Sequence, residues 1–204
     1  MWKLVFNGTR YSFFLLAVFI LPLCFNIDFI LSLWLKEIPA YTNIFVILFL
    51  ANVLAESYST YLITVLLATG KIAFYQASVG TILLLNVPLS YLAFQWGYPP
   101  VSFLVVSIIL TFAASALRLF LLKKRFSFSI TLFLRSVFLK TLLTILLVSA
   151  LNFMLLNLRS LLPYGNILVL LFSCLISMGG IYILGLNSEE RRIVIVQAKK
   201  YLHR

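Results

Sequence analysis

Acidic side chains are almost missing from this sequence. Asp and Glu total five in 204 residues, against 16 Lys and Arg and one histidine. Charged residues of both signs make up 10%, where a water-soluble domain carries about a quarter. Water-soluble folds are therefore excluded, because the 63% hydrophobic content has no polar coat to lie beneath. Mean hydropathy is +1.12. Cysteine is nearly absent too. Cys24 and Cys174 sit in separate apolar runs with no CxxC spacing and no nearby histidine, which reads as buried packing and excludes a thiolate metal centre. The one histidine, His203, is next to last in a basic tail. No nucleophile–base or metal-ligand set can be assembled from so few groups. The chain reads as non-enzymatic, with no metal and no cofactor.

What the sequence has in abundance is long apolar runs. A hydrocarbon core of about 30 Å takes about 20 helical residues. On that ruler six spans are expected, at Tyr11–Leu31, Tyr41–Leu67, Ile72–Phe94, Val101–Leu122, Ser136–Leu156 and Pro163–Leu184. The fold class is an all-α membrane protein, with residues 1–186 as the bundle and 187–204 as a basic tail helix. Lys3 and Arg10 precede the first run, but no small-x-small cleavage site follows, so it reads as a span and not a signal peptide.

The net charge of +11 fits membrane topology better than nucleic acid, because the basic residues sit at span ends and not on a water-facing patch. With the N-terminus inside, every Lys and Arg except Lys36 and Arg159 falls on or near the inner side. Both termini are then cytoplasmic. The stretch Lys123–Arg135 alternates basic residues with Phe126, Phe128 and Ile130, which predicts an interfacial amphipathic segment on anionic headgroups. Asp28–Ser32 and Trp34 read as an approach along the opposite interface.

Polar residues inside the runs are the functional candidates. Asn52, Glu56, Thr60 and Thr64 recur every four residues, which predicts one polar ridge along the second span. That ridge reads either as a cavity wall, with Glu56 holding a cation, a proton or a neighbouring basic group, or as interhelical hydrogen-bond glue. Pro88 in the third span frees the carbonyl of Leu84, which Asn86 and Ser90 are placed to satisfy; Pro22 interrupts the first span. These prolines read as hinges or as static kinks. Ser173, Ser177, Gly179 and Gly180 suit close packing in the last span. Gly70-Lys71 is no nucleotide loop, since Val65 and Ile72 stand where a glycine and a Ser/Thr are required.

Three stretches resemble the later part of the polysaccharide flippases of the multidrug/oligosaccharidyl-lipid/polysaccharide exporter superfamily. They are Gly8-Thr9-Arg10-Tyr11-Ser12-Phe13 with Leu21-Pro22; Leu33-Trp34-Leu35 with Ile38-Pro39 and Tyr41-Thr42; and Ala68-Thr69-Gly70-Lys71-Ile72 with Tyr75-Gln76, Leu85–Tyr91 and Gly97. Arg118-Leu119 with Lys123-Lys124 is similar as well. The resemblance implies a protein of lipopolysaccharide or O-antigen biosynthesis in a bacterial inner membrane. Its substrate would be a polyprenyl-diphosphate-linked oligosaccharide. It further implies a bundle of 12 to 14 helices in two lobes, of which this chain supplies six, so that a missing N-terminal lobe or partner subunit completes the cavity and this portion alone is inactive. By position, Arg10, Arg118, Arg135 and Lys140 would contribute its positive charge or else act as ordinary interfacial residues. Two other readings remain open: a complete six-span scaffold or assembly partner, and a membrane enzyme of envelope glycolipid synthesis.

Overall fold

The computed structural model describes residues 2–68, 70, 72–126, 128–157, 165–186 and 190–191. These residues form helices and short connections, with no strand among them. Five helical stretches are long and apolar enough to cross a membrane, or six where the bent pair Thr42–Ser57 and Thr60–Leu67 is one span. The protein is therefore a multi-pass helical membrane protein.

The helices are α1 (Trp2–Phe25), α2 (Ile27–Trp34), α3 (Thr42–Ser57), α4 (Thr60–Leu67), α5 (Ile72–Leu84), α6 (Asn86–Gln95), α7 (Ser102–Arg125), α8 (Ile130–Phe133), α9 (Leu139–Asn157) and α10 (Gly165–Gly180). Single π-helical turns, Leu134–Phe138 and Ile181–Gly185, join α8 to α9 and extend α10. Two groups result. α7 packs on α3, α4, α5 and α6, whereas α1 packs on α9 and α10, and the contact of α1 with α3 and α4 holds the groups together. The outer faces are apolar, with Phe19, Phe74, Leu84, Leu171 and Ile183 exposed, as lipid-facing surfaces are.

The first span begins at Trp2, not at Tyr11. Lys3 and Arg10 are inside the helix, because neither charge interrupts backbone hydrogen bonding and Arg10 finds an anionic partner. The far end also differs. Pro22 is buried within α1, and the helix ends three residues later at Phe25; the backbone N–H and side-chain Nδ2 of the next residue, Asn26, both donate to the Pro22 carbonyl (3.1 and 3.0 Å). Asp28–Ser32 then belongs to α2, and Asp28 accepts a hydrogen bond from Asn43 Nδ2.

The expected interfacial segment at Lys123–Arg135 is overturned. α7 runs to Arg125, the next helix starts at Ile130, and Phe128 between them is buried. Its ring meets Trp2 edge-on at 4.9 Å and Phe6 at 5.6 Å, and Phe126 meets Trp2 at 6.1 Å. Those aromatics cover the start of α1 instead of lying on lipid, because burying them against Trp2 and Phe6 removes more apolar area from water than the interface does. The tail helix at 187–204 lies outside the described residues except for Glu190 and Arg191.

The last hairpin packs through small residues. A methyl group added at Gly180 would sit 2.7 Å from Val148 Cγ2, whereas one at Gly179 would meet nothing within 4 Å. Only Gly180 of the predicted pair is a packing residue. Val148 is buried, and its branched Cβ leaves it little freedom to turn away. Gly180→Ala is expected to destabilise the protein by about 1–3 kcal/mol through overpacking. Thermal unfolding in detergent measures this, and adding Val148→Ala should restore most of the loss. Cys174, expected to be buried, is exposed on α10, and Cys24 is half-buried.

Candidate functional site

The span from Thr42 to Leu67 is bent by 42° at Tyr58-Ser59, although it contains neither proline nor glycine there. Ser57 Oγ donates to the Leu54 carbonyl (2.7 Å), and the Ser59 N–H goes to the Glu56 carbonyl (2.8 Å) in place of the Ala55 carbonyl four residues back. Serine back-bonding of this kind bends helices. The bend splits the predicted ridge. Asn52 and Glu56 lie on α3 and Thr60 and Thr64 on α4. Glu56, Thr60 and Thr64 are all exposed, but the Thr64 hydroxyl goes to the Thr60 carbonyl (3.2 Å) and Thr64 does not line the cavity beside the other two.

Inside the bend is a cavity of about 280 Å³ lined by Glu56, Ser59, Thr60, Ile63, Leu83, Thr111, Ala114 and Arg118. Its floor is a hydrogen-bonded network. Thr111 donates to Asn52 Oδ1 (3.0 Å), and Asn52 Nδ2 reaches Glu56 Oε1 at a long 3.5 Å. Ser59 and Ser115 share a hydrogen bond of 2.7 Å. Arg118, 8% exposed, donates from Nε to the Tyr75 hydroxyl (3.0 Å) and from Nη1 to Ser59 Oγ (2.9 Å). Both acceptors are neutral. No described carboxylate lies within ion-pair distance of Arg118, although Glu56 shares its cavity.

The structure brings Asn52, Glu56, Thr60 and Arg118 together, and it separates the other candidates from them. Arg10 is buried, and Nη2 is ion-paired with Glu190, 180 residues away in the chain. Lys140 lies within electrostatic range of Arg10, Glu190 and Arg191. Arg135 is exposed in the π-helical turn before α9. Asn86 and Ser90 bond to each other (3.0 Å) instead of the carbonyl that Pro88 frees. The helix interruption falls at Leu85, before Pro88, as the clash of a proline ring with the carbonyl four residues back requires.

Sequence reasoning missed several participants, Ser115 among them. Ser59, Tyr75 and Thr111 are common residues in apolar runs, and only the spacing of Ser59 from Tyr75 and Arg118 in the folded bundle gives them a role. It also missed Asn152, which is 1% exposed and ties α9 to α10 through Ser173 and Ser177. An amide in mid-span opposite two serines four residues apart was a readable signal for that contact.

Among the described residues no three His, Cys, Asp or Glu side chains come together as a metal site would need. Comparison with models of known protein families, with curated proteins and with solved structures gives no match.

Proposed function

We propose that the chain is a helical lobe of a flippase that moves a lipid-linked oligosaccharide across a bacterial inner membrane, both termini cytoplasmic, with a further lobe or partner subunit completing the path. The observation that carries this is Arg118. A guanidinium buried in a membrane bundle is costly unless an anion accompanies it, and here its protein partners are two neutral hydroxyls. The anionic diphosphate of the carrier supplies that missing charge, and Ser59, Thr60 and Thr111 offer hydroxyls suited to sugars. Glu56 provides a weaker counter-charge when the cavity is empty.

Two interruptions border the same cavity. Ser59 and Thr60 stand at the 42° bend, and Leu83 stands beside the interruption at Leu85. A cavity flanked by one bent span and by a one-residue interruption in its neighbour favours a protein that changes shape around its ligand over a rigid scaffold.

The test is surface-glycan display in a strain deleted for the gene and complemented at equal membrane abundance. Arg118→Gln is expected to reduce display at least 10-fold, with the lipid-linked glycan accumulating inside, and Arg118→Lys to retain part of it. Full display with Arg118→Gln would refute the reading. Loss of the glycolipid itself, in place of its accumulation, would favour the enzyme reading.

A further inference from the structure

The cavity beside the bend holds two charges of opposite sign that do not meet. Arg118 and Glu56 both line it, yet among the described residues no ion pair joins them. Arg118 is held from two sides, by Tyr75 on α5 and by Ser59 at the bend, and both bonds keep it from turning to Glu56. Those bonds use two of the five N–H groups that a guanidinium carries. The others have no acceptor among the described residues. Glu56 is exposed near the middle of the Thr42–Leu67 span, and its side chain has the long 3.5 Å contact from Asn52 as its described bond. A carboxylate at that place in a membrane span calls for a cation. One cavity therefore lacks a partner of each sign.

Charge and size together narrow what can answer both. The described lining carries one guanidinium and one carboxylate, so its net charge is zero. A ligand bringing phosphate alone satisfies Arg118 but sets a like charge against Glu56, which is unfavourable. A ligand bringing an ammonium alone does the reverse. One that carries both leaves neither wall charge alone. The volume of about 280 Å³ is at the lower end of small-molecule pockets, roughly 300–1,000 Å³. It admits one sugar phosphate or one lipid headgroup, and not a whole oligosaccharide.

We propose that the cavity recognises a phosphate and a primary ammonium carried a few bonds apart on one ligand, with Arg118 holding the phosphate and Glu56 the ammonium. Thr60 lines the same space, and its hydroxyl has no hydrogen bond to a described residue, so it can bond the neutral part of the ligand. An amino sugar on the carrier's diphosphate has this chemistry, and so does a phosphoethanolamine headgroup. The inference rests on Arg118 as the anion-binding residue of the flippase reading and adds what else the ligand must carry.

The deciding experiment is equilibrium binding of the full chain in detergent to glucosamine 1-phosphate, glucose 1-phosphate and N-acetylglucosamine 1-phosphate. All three are sugar phosphates, and they differ in bearing an ammonium, a hydroxyl or a neutral amide at one carbon. Wild type should bind the amine roughly 5-fold more tightly than the other two, as one exposed charge pair provides. Glu56→Gln should erase that preference and bind glucose 1-phosphate as well as wild type or better, since a like charge is gone. Arg118→Gln should weaken all three by about 10-fold or more. Phosphatidylethanolamine and phosphatidylglycerol in mixed micelles separate the sources. Retention of phosphatidylethanolamine over phosphatidylglycerol, abolished by Glu56→Gln, assigns the ligand to the lipid; the sugar-amine preference without it assigns the ligand to the glycan. No preference for the amine in either set, or a preference that survives Glu56→Gln, overturns this inference and leaves Arg118 as an anion site. No binding at all, or binding unaffected by Arg118→Gln, overturns both. Glu56 is exposed, so its variant carries the test even if Arg118→Gln misfolds.

Discussion

Tyr58→Ala should destabilise the folded bundle by about 3–5 kcal/mol, the range for deleting a large aromatic from a packed interior. Tyr58 stands at the bend between α3 and α4 and is 7% exposed. Its ring lies 4.6 Å from that of Phe13 and 5.4 Å from that of Phe138, and its hydroxyl is 2.7 Å from Thr141 Oγ1. One side chain therefore touches α1 and the fifth span from within the other helix group. Its neighbour Ser59 faces the opposite way, toward Ser115 and Arg118. Tyr58→Phe should lose only about 0.5–1.5 kcal/mol, because Thr141 retains a hydrogen bond to the Val137 carbonyl (2.9 Å). Unfolding in SDS measures both. Equal effects of the two variants would show that the hydroxyl, and not the ring, joins the groups.

Asn152→Asp is expected to cost about 3 kcal/mol or more at neutral pH. Asn152 Nδ2 donates to the Val148 carbonyl (2.9 Å) and to Ser177 Oγ (3.2 Å), while Oδ1 accepts from Ser173. A carboxylate placed there donates nothing, faces a carbonyl oxygen and carries an unpaired buried charge. Only the ionised form carries that cost, and the neutral acid escapes it. The sign follows: destabilisation is smallest at low pH, where the neutral acid donates one hydrogen bond, and grows as pH rises through the ordinary carboxylate range. Asn152→Leu should be milder, below about 1.5 kcal/mol, since both serines can turn their hydroxyls to carbonyls of their own helix. Thermal midpoints in detergent at pH 5 and pH 8 check both. A pH-independent loss for Asn152→Asp would mean that water reaches the site.

How much of this was legible follows from the range of each interaction. The spans are written in local hydropathy; five of the six are present as long helices, and a helix pair bent by 42° stands where the other was expected. Their ends were not legible, because Lys3 and Arg10 read as flanking charges until Glu190 is brought to Arg10 from 180 residues away. Glu56 and Arg118 were readable as candidates, one from its acid in an apolar run and the other from its basic span end. Their shared cavity was not, since it depends on a bend that no proline or glycine announces. Periodicity alone projected Asn52, Glu56, Thr60 and Thr64 onto one straight face, and the bend at Tyr58-Ser59 removed Thr64 from it. Phe126 and Phe128 misled for the opposite reason. Alternation with basic residues looks the same whether the aromatic face meets lipid or Trp2.

The pairing of α1 with α9 and α10 also has a consequence in time. A ribosome adding about 5–20 residues per second finishes α1 on the order of ten seconds before it reaches Glu190. During that interval α1 has none of its late partners, and Arg10 has no Glu190 to pair with. The arginine must reach toward the headgroups, as long cationic side chains do, and hold the young helix near that boundary. Only when the segment carrying Glu190 emerges does the carboxylate arrive and draw Arg10 into the bundle. Packing of α1 with α9 and α10 therefore waits on the emergence of Glu190, whereas α3 to α7 can close before it.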